Sequence, residues 1–187
     1  MPEYQTKPLS AATWPAFSGL AGANNGVWSG CWCMWYHTKD ASGSPELKRK
    51  GKESLVREGR AHASLVFDGS DCVGWCQFGS PRELPHIHNE RAYFATNPAL
   101  PEWRITCFFS GKGYRGKGVA SAALKGAMEQ IKDLGGGRVE GYPEDTEGRK
   151  ASPAFLFNGA LSTFERQGFQ RSRLIGKHKW VVTRTLP

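Results

Sequence analysis

The chain has 187 residues, of which 39% are hydrophobic and 22% charged, and this mixture excludes wholesale disorder, collagen and coiled coil. Its formal charge of +8 favours an anionic partner such as a phosphorylated cofactor or a nucleic acid. No apolar run approaches the roughly 20 residues of a membrane helix, and the first residues lack the apolar segment of a secretory signal. We therefore expect one cytoplasmic domain over residues 1–187, with no membrane partner.

The N-terminal half predicts helices, one buried strand and a strand hairpin. Residues 13–23 predict a short helix, whereas residues 27–36 (VWSGCWCMWY) are apolar at both alternating positions, as in a central strand. The basic residues 46–60 predict a mostly solvent-exposed helix. Residues 64–68 and 72–78 surround a Gly-Ser-Asp turn and predict a hairpin.

The C-terminal half predicts alternating strands and helices. A strand over 103–109 leads into a glycine-rich turn and then into a helix over 119–134, which three glycines end. The remaining predicted elements are a strand at 139–142, a helix at 153–167 and strands at 169–172 and 180–185. This order of elements predicts the α+β class with a mixed sheet.

The most informative segment is the glycine-rich turn at residues 111–120 (GKGYRGKGVA). Backbone N–H groups of such a turn bind phosphate oxygens when the turn opens a helix, and the helix dipole adds to the attraction. Lys112, Arg115 and Lys117 place positive charge at the same point. A polyphosphate site is therefore expected here.

Two well-known phosphate-binding patterns do not fit this turn. The P-loop pattern fails because Gly118 stands where a Mg²⁺-binding hydroxyl is required. The dinucleotide pattern G-x-G-x-x-G is matched by Gly111, Gly113 and Gly116, but Asp133 lies at a helix end and not at a strand tip. Too few strands follow the turn for a βαβαβ unit, so we reject this interpretation as well.

The third pattern is R-x-x-G-x-A, formed by residues 115–120 directly after an apolar strand. Here the chain resembles the GCN5-related N-acetyltransferases (GNAT), in which this pattern is the acetyl-CoA pyrophosphate loop. Residues 164–169 (FERQGF) are similar to a second motif of the family, aromatic-E-x-x-G-F. The resemblance covers residues 103–172, with residues 1–102 as a diverged acceptor-side half and residues 173–187 as a C-terminal strand. It implies a mostly antiparallel central sheet flanked by helices.

The resemblance implies a set of acetyl-CoA contacts and no metal. The backbone amides of residues 115–120 are expected to bind the pyrophosphate, while residues 108–110 pair with the pantetheine arm and polarise the acetyl carbonyl. Asn158 corresponds to the helix asparagine of the family but lies one residue closer to the aromatic position than usual. The expected cofactor-binding residues are Phe108, Phe109, Ser110, Arg115, Gly116, Lys117, Gly118, Val119, Ala120 and Asn158.

The implied reaction is direct attack of an amine on the thioester. An alkyl amine has a pKa of about 10.4 and is therefore mostly protonated at neutral pH. A base or a water chain must first remove a proton. Glu140, on the short strand beside the cofactor strand, is the candidate base, with Glu102 as the alternative. Phe164 stands where the family carries the tyrosine that protonates the departing thiolate. We therefore expect Tyr142 or water to supply that proton.

The five cysteines are interpreted as free thiols and not as a disulfide framework, because their number is odd and the chain is expected to be cytoplasmic. Cys31 and Cys33 lie within the apolar segment, and no C-x₂-C turn of a structural zinc site is present. This sulfur- and tryptophan-rich segment is expected to form a wall of the acceptor pocket, which His86 and His88 can also reach.

These residues predict an acetyl-CoA-dependent N-acetyltransferase that acts on a primary amine of a small molecule or a peptide. The alternative is a CoA-binding sensor without catalysis, which Phe164 favours. Nucleic-acid binding through residues 46–60 is a weaker alternative, because acidic residues are interleaved with basic ones and no nucleic-acid motif is present. The identity of the acceptor and a homodimeric state stay open.

Overall fold

The computed structural model describes residues 3–39, 42–149, 151–152 and 156–187, which form one seven-stranded sheet in the order β1-β2-β3-β4-β5-β7-β6. The strands are β1 (Gln5–Pro8), β2 (His62–Asp68), β3 (Asp71–Gly79), β4 (Trp103–Ser110), β5 (Gly137–Gly141), β6 (Gln170–Leu174) and β7 (Trp180–Leu186). The helices are α1 (Trp14–Ala23), α2 (Pro45–Arg57), α3 (Glu90–Phe94), α4 (Val119–Asp133) and α5 (Leu161–Glu165). Within these residues β4 and β5 are parallel and the other neighbours antiparallel, which confirms the predicted mixed, mostly antiparallel sheet.

Both faces of the sheet are covered, and this explains why β2 and β3 are apolar on both faces. Helix α4 covers one face, where Ala127 and Ile131 are fully buried in the same cluster as Ile105. Gly126 lets this helix approach β2, because a Cβ at this position would overlap the Ser64 hydroxyl. On the other face, α1 and the residues after it cover an aromatic cluster around Trp75.

The predicted strand over residues 27–36 is wrong, since residues 24–37, which we call the turn segment, form a series of turns. Every residue from Asn25 to Gly30 has a positive φ, between 42° and 76°. Such angles cost L-residues about 1–2 kcal/mol each, and a β-branched residue such as Val27 rarely adopts them. The left-handed turn is closed by the hydrogen bond from Cys31 N–H to Val27 O, at 2.9 Å. The segment mimics a strand in sequence because its apolar side chains are buried between α1 and the sheet.

The predicted helix over residues 153–167 is also wrong in its extent. Residues 153–155 lie outside the described residues, and the helix that follows is only α5, Leu161–Glu165. Gly159 has φ +84°, which ends any helical continuation, and Ala160 is extended. Glu144 N–H instead donates to Gly159 O at 3.0 Å, which ties this segment to the residues after β5.

The other predicted elements are confirmed, with small changes at their ends. Ser44 is the N-cap of helix α2, and its hydroxyl accepts a hydrogen bond from Leu47 N–H at 3.3 Å. The exposure of this helix is less complete than predicted, because Lys52 and Val56 are buried. Among the described residues, no helix combines the length and apolar character that a membrane crossing requires.

Candidate active site

The candidate site is formed where β4 and β5 separate. Their parallel pairing ends at Ile105 and Gly141, and β4 continues alone to Ser110. In the pairing of β4 with β3, Thr106 is an extra residue without a partner, and it therefore forms a β-bulge. A bulge bends its strand and increases the local twist. The bend thus occurs at the point where the two strands part.

Residues 156–159 enter the gap between the two strands. Phe108 N–H donates a hydrogen bond to Phe157 O at 2.7 Å, so this position of β4 already has a partner from the chain itself. The family resemblance predicts that the same part of β4 pairs with the pantetheine arm. A cofactor arm therefore either displaces Phe157 or pairs with β4 nearer to Ser110.

The side chain of Asn158 holds the bulge in place. Asn158 is buried, and its Nδ2 donates to Thr106 O and, at 2.7 Å, to Tyr36 OH. Its Oδ1 accepts a hydrogen bond from Lys179 Nζ at 2.9 Å. The amide that was expected to contact pantetheine therefore links the turn segment, the bulge and the start of β7.

The glycine-rich turn adopts the backbone that a phosphate-binding loop needs. Gly113, Gly116 and Gly118 have φ of +85°, +74° and +85°. A Cβ at these positions would contact nothing within 4 Å, so glycine is required for its backbone angle and not for space. No side chain of a described residue caps the first turn of α4. The first N–H groups of α4, which follow Arg115 and Lys117 in sequence, therefore have no side-chain cap.

Most of the predicted cofactor-binding residues meet at one cavity of about 230 Å³, which we call the loop cavity. Its lining includes Phe108, Phe109, Ser110, Arg115, Gly116 and Ala120. Lys117 and Gly118 line a neighbouring groove along α4, whereas Val119 is buried in the core. The structure thus brings the end of β4 and the turn together, as the motif spacing predicted.

A second cavity of about 540 Å³ lies beside it, and we call it the aromatic cavity. Its lining includes Trp28, Trp35, Tyr36, His88 and Phe157. The His88 ring stacks on Trp35 with centroids 4.0 Å apart. Burial lowers the pKa of His88 to about 4, so its imidazole is neutral at pH 7. The turn segment and His88 therefore line a pocket together, as the sequence predicted, although the segment is not a strand.

Trp28 is part of the wall of both cavities. Its ring packs edge-on against Phe109 and Phe157, with centroids 6.3 and 6.0 Å away. Its indole Nε1 is buried and has no hydrogen-bond partner among the described residues. An unpaired buried N–H costs about 1–3 kcal/mol. A ligand oxygen at this wall would remove that cost.

Glu140 and Tyr142, the predicted catalytic pair, are adjacent and buried. Glu140 Oε2 accepts hydrogen bonds from Tyr93 OH at 2.7 Å and from Tyr142 OH at 3.2 Å. Burial raises the pKa of Tyr142 well above its usual value, so the phenol keeps its proton. Neither residue of the pair is among those that line the two cavities.

The alternative candidates lie elsewhere. Glu102 Oε2 accepts a hydrogen bond from Arg138 N–H at 2.7 Å, at the end of β4 opposite to Ser110. The His86 ring lies 3.9 Å from a carboxylate oxygen of Glu90, so it faces α3. The structure therefore leaves both side chains away from the glycine-rich turn.

Phe164 occupies the family's tyrosine position but is fully buried. Its ring packs edge-on between Phe108 and Phe169, with centroids 5.7 and 5.0 Å away. Gly141 makes room for the ring, because a Cβ at that position would overlap it. Phe164 thus fills the core beneath the site and offers no proton.

Sequence reasoning missed a buried lysine that connects α2 to the bulge. Lys52 Nζ donates to Gln77 Oε1 and to His37 Nε2, the latter at 3.1 Å. Gln77 Nε2 in turn donates to Thr106 Oγ1 at 3.1 Å, and His37 Nδ1 donates to Glu83 O at 2.9 Å. Burial lowers the pKa of Lys52. The sequence did contain a signal for the burial of Lys52. This lysine lies four residues before the apolar Val56, and residues at this spacing share one face of a helix.

The fold and site define a class of α+β proteins with a parted central strand pair and a glycine-rich turn before the main helix. A model of the Acetyltransferase (GNAT) family matches residues 26–152, more than half of the chain. The chain therefore belongs to the GNAT family and is an acyltransferase. No curated protein sequence matches it significantly.

Solved structures share this fold at low sequence identity. A mosquito arylalkylamine N-acetyltransferase like 5b has a TM-score of 0.60 and 11% identity, over 98% of this chain and 100% of that one. The GNAT domain of S. lividans PAT has a TM-score of 0.57 and 14% identity, over 98% and 90%. The yncA protein of Salmonella typhimurium, solved with its cofactor acetyl-CoA, has a TM-score of 0.55 and 11% identity, over 98% and 94%. Similarity at this level establishes the fold.

The residues of the loop cavity fit a CoA-type ligand. The three left-handed glycines expose backbone N–H groups beside Arg115, which suits a pyrophosphate. The unpaired Trp28 N–H lies in the same wall, which suits a carbonyl oxygen of the pantetheine arm. Among the described residues, no three His, Cys, Asp or Glu side chains are grouped to hold a metal ion.

Lowering the pH is expected to destabilise the protein through His37. Burial, and next the charge of Lys52, lower the pKa of His37 from 6.5 to about 2. Between these two pKa values the unfolded state binds a proton at His37 and the folded state does not. The contribution of His37 to the free energy of unfolding is therefore complete above about pH 6.5 and decreases towards pH 2. One such proton changes the free energy of unfolding by at most about 1.4 kcal/mol per pH unit.

Urea unfolding at several pH values between about 4 and 7 measures how steeply the free energy of unfolding depends on pH. His37→Gln keeps a polar side chain without a titrating ring, and its free energy of unfolding should depend less steeply on pH. Equal slopes in the two proteins would show that His37 does not titrate in this way.

Proposed function

We propose that this protein is an acetyl-CoA-dependent N-acetyltransferase that acetylates a primary amine of a small molecule or a peptide. The observation that carries the proposal is the contact of the loop cavity with the aromatic cavity through Trp28, at the bend of β4. One cavity has the features of a phosphate and pantetheine site, and the other suits an organic acceptor. In this proposal residues 103–172 bind the cofactor and residues 1–102 supply most of the acceptor side.

In the proposed complex, backbone N–H groups of residues 115–120 bind the pyrophosphate, with charge from Arg115 and Lys117. The N–H of Lys117 donates to Tyr114 O at 3.3 Å, so the other N–H groups of the turn make these contacts. The N–H of Trp28 donates to a carbonyl oxygen of the bound arm. When bound, the cofactor supplies the thioester whose carbonyl carbon the amine attacks. The chain's own contribution is to orient that carbonyl at the common wall of the two cavities.

The aromatic cavity suits the neutral form of the amine, which is the form that attacks. Its described lining residues include Lys48 and no carboxylate. The charge of Lys179 also reaches this cavity, because it is the second cause, after burial, that lowers the pKa of His88. Positive charge near a bound amine favours loss of its proton. The cavity thus assists the deprotonation that acetylation requires.

Glu140 and Tyr142 are the proposed acid–base pair. Glu140 would receive the proton of the amine, and the protonated Tyr142 would supply one to the departing thiolate. Because neither side chain lines a cavity, each transfer would need a chain of water molecules to reach the reacting atoms. Phe164 favours a second candidate function, a CoA-binding module without turnover, because it removes the usual proton donor.

Acetyl-CoA is expected to raise the melting temperature of the protein. The substitution Arg115→Ala should weaken the binding of acetyl-CoA by about 10-fold or more, because a charge-assisted contact is lost. Isothermal calorimetry gives both affinities. Arg82→Ala is the matched control, since Arg82 is exposed on the turn after β3. If Arg115→Ala binds acetyl-CoA as tightly as Arg82→Ala does, the turn is not the phosphate site. If acetyl-CoA binds but no amine causes the release of free thiol, the non-catalytic CoA-binding module is favoured.

Trp28→Phe is expected to keep the packing of the ring and to lose the N–H donor, which should lower kcat/KM about 5- to 10-fold. Steady-state thiol release with varied acetyl-CoA measures this. Trp103→Phe is the control, because Trp103 Nε1 already donates to Gly136 O at 2.8 Å. It should lower stability and leave kcat/KM unchanged. Unchanged kinetics in Trp28→Phe would remove this donor from the proposal.

Glu140→Gln is expected to reduce kcat about 100-fold or more and to leave the affinity for acetyl-CoA unchanged, because only the proton acceptor is lost. Glu58→Gln, at the exposed end of α2, serves as the control. Retained activity in Glu140→Gln, together with loss in Glu102→Gln, would transfer the role of base to Glu102.

A further inference from the structure

Two cysteines from distant parts of the chain meet at the aromatic cavity. Cys33 Sγ and Cys107 Sγ are 3.0 Å apart, and both residues line the cavity although each is only 1% exposed. Cys33 belongs to the turn segment and itself has φ +54°. Cys107 follows the bulged Thr106 on β4. The pair thus joins the strained segment to the strand that organises the site.

The surroundings favour deprotonation of Cys33 over that of Cys107. The hydrogen bond from Cys107 and the charge of Lys52 lower the pKa of Cys33, whereas the same hydrogen bond and burial raise that of Cys107. The hydrogen bonds of Lys52 go to Gln77 and His37, which are both neutral. A buried ammonium group needs a counter-charge, and a Cys33 thiolate supplies one.

We propose that Cys33 and Cys107 form a dithiol site that reacts with a hydroperoxide and closes to a disulfide at the aromatic cavity. Both cysteines line this cavity, which is the route by which a small peroxide would reach them. The reaction needs no acyl donor and no amine, so the proposal stands or falls independently of acetyl transfer.

The reaction has two steps. The Cys33 thiolate attacks one peroxide oxygen, so that an S–O bond forms, the O–O bond breaks, and the departing alkoxide or hydroxide takes a proton to leave as an alcohol or water. The sulfur of Cys107 then attacks Cys33 Sγ. An S–S bond forms, the S–O bond breaks, and the leaving hydroxide takes the Cys107 proton to form water. The two thiols are oxidised and the hydroperoxide is reduced.

The geometry requires only a small movement. A disulfide has an S–S bond of about 2.05 Å, so the two sulfur atoms must approach by about 1 Å. The bond would fix the turn segment, which carries Trp28, to β4. Oxidation would therefore restrict the wall that the two cavities share.

Cys31 also lines the aromatic cavity, but the pKa of each remaining cysteine is raised and not lowered. Burial raises the pKa of Cys72 to about 11 and raises that of Cys76 well above its usual value. Cys72 Sγ lies near Gly74 O on its own strand, at 3.9 Å. Burial also raises the pKa of Cys31. A peroxide should therefore react first at Cys33.

The test treats the fully reduced chain with hydrogen peroxide and follows its intact mass and its non-reduced peptide map. The expected result is the loss of two hydrogens, a peptide that links residues 33 and 107, and reversal by dithiothreitol. Cys72→Ser, the matched control, should behave in the same way. Cys107→Ser should stop at a sulfenic acid on Cys33, which dimedone traps, and Cys33→Ser should form no 33–107 link.

Lys52→Met provides a second route if a cysteine variant does not fold. Removal of the ammonium group should raise the pKa of Cys33, so disulfide formation should slow several-fold at neutral pH and recover at higher pH. The proposal is overturned if peroxide links another pair, if it adds oxygen without linking residues 33 and 107, or if Lys52→Met reacts with an unchanged pH profile.

Discussion

The bulge at Thr106 is the feature on which the rest of the site depends. Two parallel strands that stayed paired would leave no gap, and the bulge lies where β4 leaves β5. Hydrogen bonds from Gln77 and Asn158 hold it from two sides. The loop cavity and the aromatic cavity then lie along the free part of β4, separated by Trp28.

Buried polar groups connect this bulge to the acceptor side of the protein. Lys52 places a positive charge in the core, where it bonds to the side chain that holds Thr106 and lowers the pKa of Cys33. Because an unpaired buried charge is costly, such a network fixes its members in one arrangement. The thiol pair and the bent strand are therefore parts of one polar cluster.

Local patterns were predictable from the sequence, and long-range arrangements were not. The hairpin, β4, the glycine-rich turn and α4 follow from residue patterns that neighbouring residues determine. Residues 27–36 were mistaken for a strand because an apolar run reports burial and not backbone angle. Residues 156–160 were mistaken for helix, although Gly159 was a visible breaker. Phe164 was recognised as an unusual residue, but its place in the core depends on Gly141.

The sequence by itself determined the family, the position of the glycine-rich turn and the mixed sheet, because each depends on motifs and periodicity within short segments. Only the tertiary structure decided which side chains share a cavity. Tyr36 and Asn158 are 122 residues apart in sequence, and Cys33 and Cys107 are 74 apart. No local pattern records such pairs, since they meet only when the turn segment packs on the sheet. The burial of Lys52 has the same origin: its helix face is set by α2, but what that face meets is set by the fold.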